Sequence, residues 1–131
     1  MSYVLIVDDD AEVRSLLHMA LEEEGHAVDE AENGQVALEK LRASSERLVV
    51  LLDYLMPGMD GLAVLRLIAQ DETLAPRHRY ILMSAGRFFP TDDEALRSLS
   101  VQMLPKPFDL EKVFQKVREV AEALESGGQV L

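Results

Sequence analysis

Short apolar runs alternate along the chain with longer amphipathic stretches. Residues 3–7, Tyr-Val-Leu-Ile-Val, form a β-rich run readable as a buried strand. The acidic triplet Asp8-Asp9-Asp10 ends it. Residues 11–24 follow, with Val13, Leu16, Leu17, Ala20 and Leu21 at helical spacing, and Gly25 is a natural C-terminal stop. Residues 27–30 make a weak second strand. Asn33-Gly34 is a turn signal, and Val36, Ala37, Leu38 and Leu41 mark a second helix. Residues 48–52 are continuously apolar up to Asp53, which suits a central parallel strand covered on both faces. Met56-Pro57-Gly58-Met59-Asp60-Gly61 is rich in helix breakers, and Leu62, Leu65, Ile68 and Ala69 predict a third helix. A fourth strand is expected over 80–83, ending at Ser84, and a short helix over 91–99 with Thr91 and Glu94 as a capping box. A fifth strand is expected over 101–104. A last helix starts at Asp109 and carries Val113, Phe114, Val117 and Val120. Five strand-then-helix units predict an α/β sandwich with a parallel sheet and helices on both faces.

Composition narrows the function. At 131 residues and 48% hydrophobic content, the sequence supplies one core and one domain, expected over 1–125, with 126–131 as a flexible tail or linker start. There is no Cys, which excludes disulfides and thiolate metal sites. A net charge of -11 repels nucleic acid phosphates, so direct DNA or RNA binding is not expected. No apolar stretch is long enough to span a membrane, and the N-terminus lacks signal-peptide features; the expected location is cytoplasmic.

The chemistry lies in where polar residues interrupt the strands. Asp8 and Asp9 end the first, Asp53 the third, Ser84 the fourth and Lys106 the fifth. Sites in open α/β sheets lie outside the carboxyl ends of the strands, so one parallel sheet brings these residues to one edge. Three carboxylates there repel one another and call for a cation. Mg²⁺ suits them, since it prefers carboxylate, carbonyl and water oxygens. Lys106 adds a fixed positive charge. Such a site suits phosphoryl transfer, with Asp53 as nucleophile and Ser84 as hydrogen-bond donor to a phosphoryl oxygen.

Four segments then carry a resemblance. Val7-Asp8-Asp9, Leu52-Asp53 with Met56-Pro57-Gly58-Met59-Asp60-Gly61, Met83-Ser84-Ala85 and Lys106-Pro107-Phe108 together resemble the receiver domains of two-component response regulators, the CheY-like family, over nearly the whole chain. The resemblance implies a flavodoxin-like (βα)5 three-layer sandwich with a parallel five-stranded sheet of order 2-1-3-4-5. It implies Asp53 as phosphoacceptor, and Asp8 and Asp9 with Asp53 and the Leu55 backbone carbonyl as ligands of Mg²⁺, with Mn²⁺ as a substitute. Ser84 and Lys106 would bind the phosphoryl group, and the Lys106-Pro107 bond would be cis. The implied donor is a phosphohistidine on a sensor histidine kinase or a histidine phosphotransfer protein, and the implied reader is a downstream target protein or output domain. Phosphorylation-dependent dimerisation is among the expectations. The protein would be a signalling switch and not an enzyme, catalysing only its own phosphotransfer and slow dephosphorylation.

Some positions depart from the family pattern. Met103 stands where the family usually carries the aromatic partner of the Ser84 switch; Met is flexible and apolar enough to fill the same gap. Leu55 and Gly86 stand at positions that in the family flank the pocket and tune phosphoryl lifetime. Phe88 and Phe89 are adjacent, which points to one exposed aromatic as a partner anchor. Asp10 is expected only to favour a helix N-terminus. His18, His26 and His78 lack metal-ligand spacing and read as surface residues. Met56, Met59 and Met83 read as packing.

Three other functions fit the residues less well. A phosphatase using an aspartyl intermediate wants a second acid two residues past the nucleophile, where Leu55 stands. A degenerate binding module is opposed by the full set Asp8, Asp9, Asp53, Ser84 and Lys106. A flavin or nucleotide carrier is opposed by the acidic, glycine-free loop after the first strand.

Overall fold

The computed structural model describes residues 2–85, 93–106 and 109–126. Five strands alternate with five helices: β1 (Tyr3–Val7), α1 (Ala11–Glu23), β2 (Ala27–Ala31), α2 (Gly34–Ala43), β3 (Leu48–Asp53), α3 (Gly61–Ala69), β4 (Arg79–Ala85), α4 (Glu94–Ser98), β5 (Gln102–Lys106) and α5 (Leu110–Ser126). All neighbouring strands pair in parallel in the order β2-β1-β3-β4-β5, the flavodoxin-like order expected.

Strand side chains alternate between two cores because successive residues point to opposite faces. Leu5, Val7, Val50, Leu52, Tyr80 and Leu82 pack with α2, α3 and α4 residues such as Leu38, Leu65, Ile68 and Leu96. Val4, Ile6, Val49, Leu51, Ile81 and Met83 pack with Leu17 and Leu21 of α1 and Val113, Val117 and Val120 of α5. The central strands are therefore apolar on both sides. Edge strand β2 is half-exposed, which explains its weak sequence signal.

Local chemistry sets the boundaries. The Asp10 carboxylate caps α1, accepting from the backbone N–H groups of Glu12 and Val13. Asn33 and Asp60 cap α2 and α3 in the same way. Helix α4 starts later than the capping-box reading: its N-cap is Asp93, accepting from Ala95, and Thr91 lies outside the described residues. Gly58 has φ +79°, a left-handed conformation that only glycine adopts without strain. Strand β5 runs further than its apolar segment because Pro105 and Lys106 stand in register with Ser84 and Ala85 of β4.

Two readings need correction. Leu16 matched the helical stripe, yet 55% of it is exposed. His78 is not a surface residue. Its ring is buried at the foot of β4, where Nδ1 accepts from the Leu48 N–H at 2.9 Å and Nε2 donates to the Leu41 carbonyl at 3.2 Å. His18 and His26 are partly buried. Met56 and Met83 are buried and Met59 packs against the core, as expected of packing residues.

Candidate phosphoacceptor site

Asp8 lies directly after β1 and Asp53 is the last residue of β3, so adjacent central strands deliver both carboxylates to one sheet edge. Asp8 is 1% exposed and Asp53 7%, while Asp9 is open to solvent. One oxygen from each of the three lies within 4.8 Å of the others. Lys106, the last residue of β5, reaches across: its Nζ is 3.1 Å from Asp53 Oδ1 and 3.4 Å from Asp8 Oδ2. The opposite Asp8 oxygen accepts from the Asp10 N–H at 2.9 Å.

Burial pushes the Asp53 carboxyl above the ordinary carboxylate range, the neighbouring Asp8 charge pushes it the same way, and Lys106 opposes both. Burial alone would lower the Lys106 ammonium, but attraction to Asp53 and Asp8 outweighs it and the net shift is upward. One lysine thus pairs with two of the three clustered carboxylates, and the cluster keeps excess negative charge. This donor set fits a hard divalent cation: oxygen-only ligands, two of them held by strand ends, and one solvent-open side where waters complete the shell.

Ser84 is 2% exposed, and its hydroxyl has no hydrogen-bond partner among the described residues. It follows Met83, the register partner of Asp53. Buried hydroxyls are normally satisfied, so an orphan one marks a missing acceptor. Gly61 lets the α3 N-terminus sit on the Asp53 backbone. Its N–H donates to the Tyr54 carbonyl at 2.8 Å, and a Cβ there would lie 2.5 Å from the Asp53 carbonyl oxygen.

Asp8, Asp9, Asp53 and Lys106 therefore converge as expected. Leu55 lies beside them with its side chain 62% exposed. Met103 is partly buried, packs against the α2–α3–α4 core and pairs in register with Leu82. The expected cis peptide at Pro107, the pocket position Gly86 and the aromatic pair Phe88 and Phe89 fall outside the described residues. Sequence reasoning missed Arg14, which donates to the Asp8 backbone carbonyl at 2.7 Å. Its place in the first turn of α1 carries no pattern that signals this.

The chain matches the family described as response regulator receiver domain over residues 4–118. It is 39% identical over 109 residues to the DNA-binding transcriptional regulator NtrC of Escherichia coli, covering 83% of this chain and 22% of NtrC. It is 50% identical over 70 residues to the transcriptional regulatory protein ResD of Bacillus subtilis, covering 53% of this chain and 28% of ResD. The chain thus spans 28% and 22% of the lengths of these two curated relatives. Among solved structures, a CheY-like receiver domain protein of Methanospirillum hungatei superposes with a TM-score of 0.84 at 29% identity, covering 95% of this chain and 97% of that one. The response regulator TrrA of Thermotoga maritima, solved in complex with Mg²⁺-BeF, gives 0.77 at 32% identity, covering 92% and 99%. With the sheet order, the carboxylate cluster and Lys106 all in place, the chain belongs to the response regulator receiver domain family.

Proposed function

We propose that this receiver takes a phosphoryl group onto Asp53 from a phosphohistidine on a sensor histidine kinase or histidine phosphotransfer protein. The observation that carries this reading is the cluster of Asp8, Asp9 and Asp53 at the carboxyl edge of the sheet, with Lys106 reaching two of them, Asp8 and Asp53. An Asp53 carboxylate oxygen attacks phosphorus. The P–N bond to the donor histidine breaks, its electron pair stays on the imidazole nitrogen, and an O–P bond forms on Asp53. Mg²⁺, or Mn²⁺ in its place, would be held by Asp8, Asp9, Asp53 and the Leu55 carbonyl and would neutralise charge on the phosphoryl oxygens. Lys106 Nζ, already 3.1 Å from Asp53, supplies a second fixed charge. The Ser84 hydroxyl supplies a donor that has no other partner among the described residues.

Ser84 and Met103 form the switch pair in this reading. Engagement of Ser84 by the phosphoryl group opens space that Met103, packed next to Leu82 on the neighbouring strand, can enter. That motion shifts the equilibrium of a protein-binding surface read by a target protein or an output domain. The receiver over 1–125 with a tail at 126–131, autocatalysed phosphotransfer and slow hydrolysis, a cis Lys106-Pro107 bond, a cytoplasmic location and phosphorylation-dependent dimerisation belong to the same proposal. Among the described residues no helix is long and apolar enough to cross a membrane.

Incubation with acetyl phosphate, with and without Mg²⁺, tests the reading by intact mass. The expected result is a Mg²⁺-dependent phosphoryl adduct that is absent from Asp53→Ala. Full uptake by Asp53→Ala removes Asp53 from the role.

A further inference from the structure

We infer that Arg14 and Glu30 form a positioning relay that fixes the Asp8–Asp9 peptide for metal binding. This rests on the reading of Asp8 and Asp9 as metal-holding residues and adds two residues that touch neither metal nor phosphoryl group.

The Asp8 carbonyl belongs to the peptide that joins Asp8 to Asp9. The tilt of that peptide plane sets the directions in which the two carboxylates leave the backbone. Besides the 3.4 Å contact of its Oδ2 with Lys106 Nζ, three hydrogen bonds hold Asp8 among the described residues. Its N–H donates to the Ala31 carbonyl at 3.2 Å, its Oδ1 accepts from the Asp10 N–H at 2.9 Å, and its carbonyl accepts from Arg14 Nη1 at 2.7 Å. Lys106 reaches the carboxylate, whereas Arg14 brings a side chain to the carbonyl of the shared peptide.

Arg14 is itself held. Its Nε donates to Glu30 Oε1 at 3.0 Å, and its side chain is 16% exposed. A guanidinium engaged through Nε and Nη1 is fixed in plane as well as position, which an ammonium is not. Glu30 is braced in turn. Its Oε2 lies 2.7 Å from His18 Nδ1, whose Nε2 lies 3.3 Å from Glu22, and its backbone carbonyl accepts from Lys40 Nζ at 2.6 Å. The edge strand β2 is thereby connected, through one carboxylate and one guanidinium, to the turn that carries two of the three acids.

Arg47 provides the contrast. It donates to the carbonyls of Pro76, Arg77 and Leu124 at 3.0, 3.0 and 3.4 Å, at the amino end of β3. It is comparably bonded to backbone and remote from the acids, so its loss reports a purely structural arginine.

The test is calorimetric titration with Mg²⁺, paired with thermal midpoints in EDTA, for wild type, Arg14→Ala, Arg14→Lys, Glu30→Gln and Arg47→Ala. Partners that orient metal-ligand residues cost roughly ten- to a hundredfold in affinity when lost. Arg14 acts on a backbone carbonyl and not on a ligand oxygen, so Arg14→Ala should weaken Mg²⁺ roughly tenfold, the low end of that range. Glu30→Gln should weaken it by a smaller measurable factor, and Arg14→Lys should recover part of the loss. Arg47→Ala should lower the midpoint and leave Kd at the wild-type value. Wild-type Kd in both Arg14→Ala and Glu30→Gln overturns the relay, whatever their midpoints. If Arg14→Ala does not fold, Arg14→Lys and Glu30→Gln decide the question by the same criterion. Failure of the wild type itself to bind Mg²⁺ instead overturns the site reading on which the relay rests.

Discussion

Acidification should weaken this fold through His78 by an amount the structure sets. Both ring nitrogens are committed: Nδ1 accepts from the Leu48 N–H and Nε2 donates to the Leu41 carbonyl. A second proton on Nδ1 would face the Leu48 N–H head-on. Burial pushes the imidazole down from 6.5 to about 4; the Leu41 bond opposes this, and the Arg77 and Arg47 charges add to it. The folded protein therefore holds fewer protons at this site than the unfolded chain between those values. The stability that depends on neutral His78 is complete above pH 6.5 and is lost as pH falls toward 4. The difference corresponds to about 3 kcal/mol. Carboxylates titrate in the same window, so the measurement is a difference. Urea unfolding across pH 4 to 7.5 should be compared between wild type and His78→Asn, which keeps an acceptor near Nδ1 and cannot gain a charge. The gap in unfolding free energy should shrink by about 3 kcal/mol as pH falls. Parallel profiles, or a His78 ring that titrates near 6.5 by NMR in the folded protein, refute the reasoning.

Four further outcomes are expected at the site. Ser84→Ala removes a buried hydroxyl with no partner among the described residues, so unfolding free energy should hold or rise by about 1 kcal/mol while phosphoryl uptake slows; a clear loss of stability would show that the hydroxyl is satisfied. Gly61→Ala sets a Cβ against the Asp53 carbonyl and should cost about 1–3 kcal/mol in denaturant unfolding, with reduced uptake from acetyl phosphate. Because burial and Asp8 raise the Asp53 carboxyl, its ionised form costs the folded state stability above that shifted value, a cost that fades as pH falls. Asp53→Asn should therefore raise the thermal midpoint in EDTA at pH 7, and Mg²⁺ at a hundred times Kd should stabilise the wild type by about 2.7 kcal/mol; an unchanged midpoint in both experiments contradicts the electrostatic picture.

The layered fold was legible because its central strands are buried on both faces. Residues 48–52 read as a strand from composition alone, and Asp53 stands out as the polar residue that ends it. Convergence at one sheet edge followed from parallel pairing before any contact was known, and Asp8, Asp9, Asp53 and Lys106 meet there. What stayed hidden depends on tertiary partners. The pairing of β5 beyond its apolar segment, through Pro105 and Lys106, rests on register partners in β4, which no local pattern encodes. His78 was misread because a lone histidine before an apolar run carries no sign of the two backbone groups awaiting it. Arg14 was passed over because the carbonyl it serves and the Glu30 that orients it belong to different elements. Asp93 displaced the predicted cap of α4 through contacts with Ala95 and with Arg66 of α3, the latter at 2.6 Å.

The most direct test of the central claim is to locate the phosphoryl group. Borohydride reduces an acyl phosphate to the alcohol and leaves homoserine at the modified position. After phosphorylation in Mg²⁺ and reduction, peptide sequencing by mass spectrometry should find homoserine at position 53 and at no other acid. Homoserine at position 8 or 9, or none in a sample whose intact mass carries the adduct, would contradict the assignment of Asp53 as the phosphoacceptor.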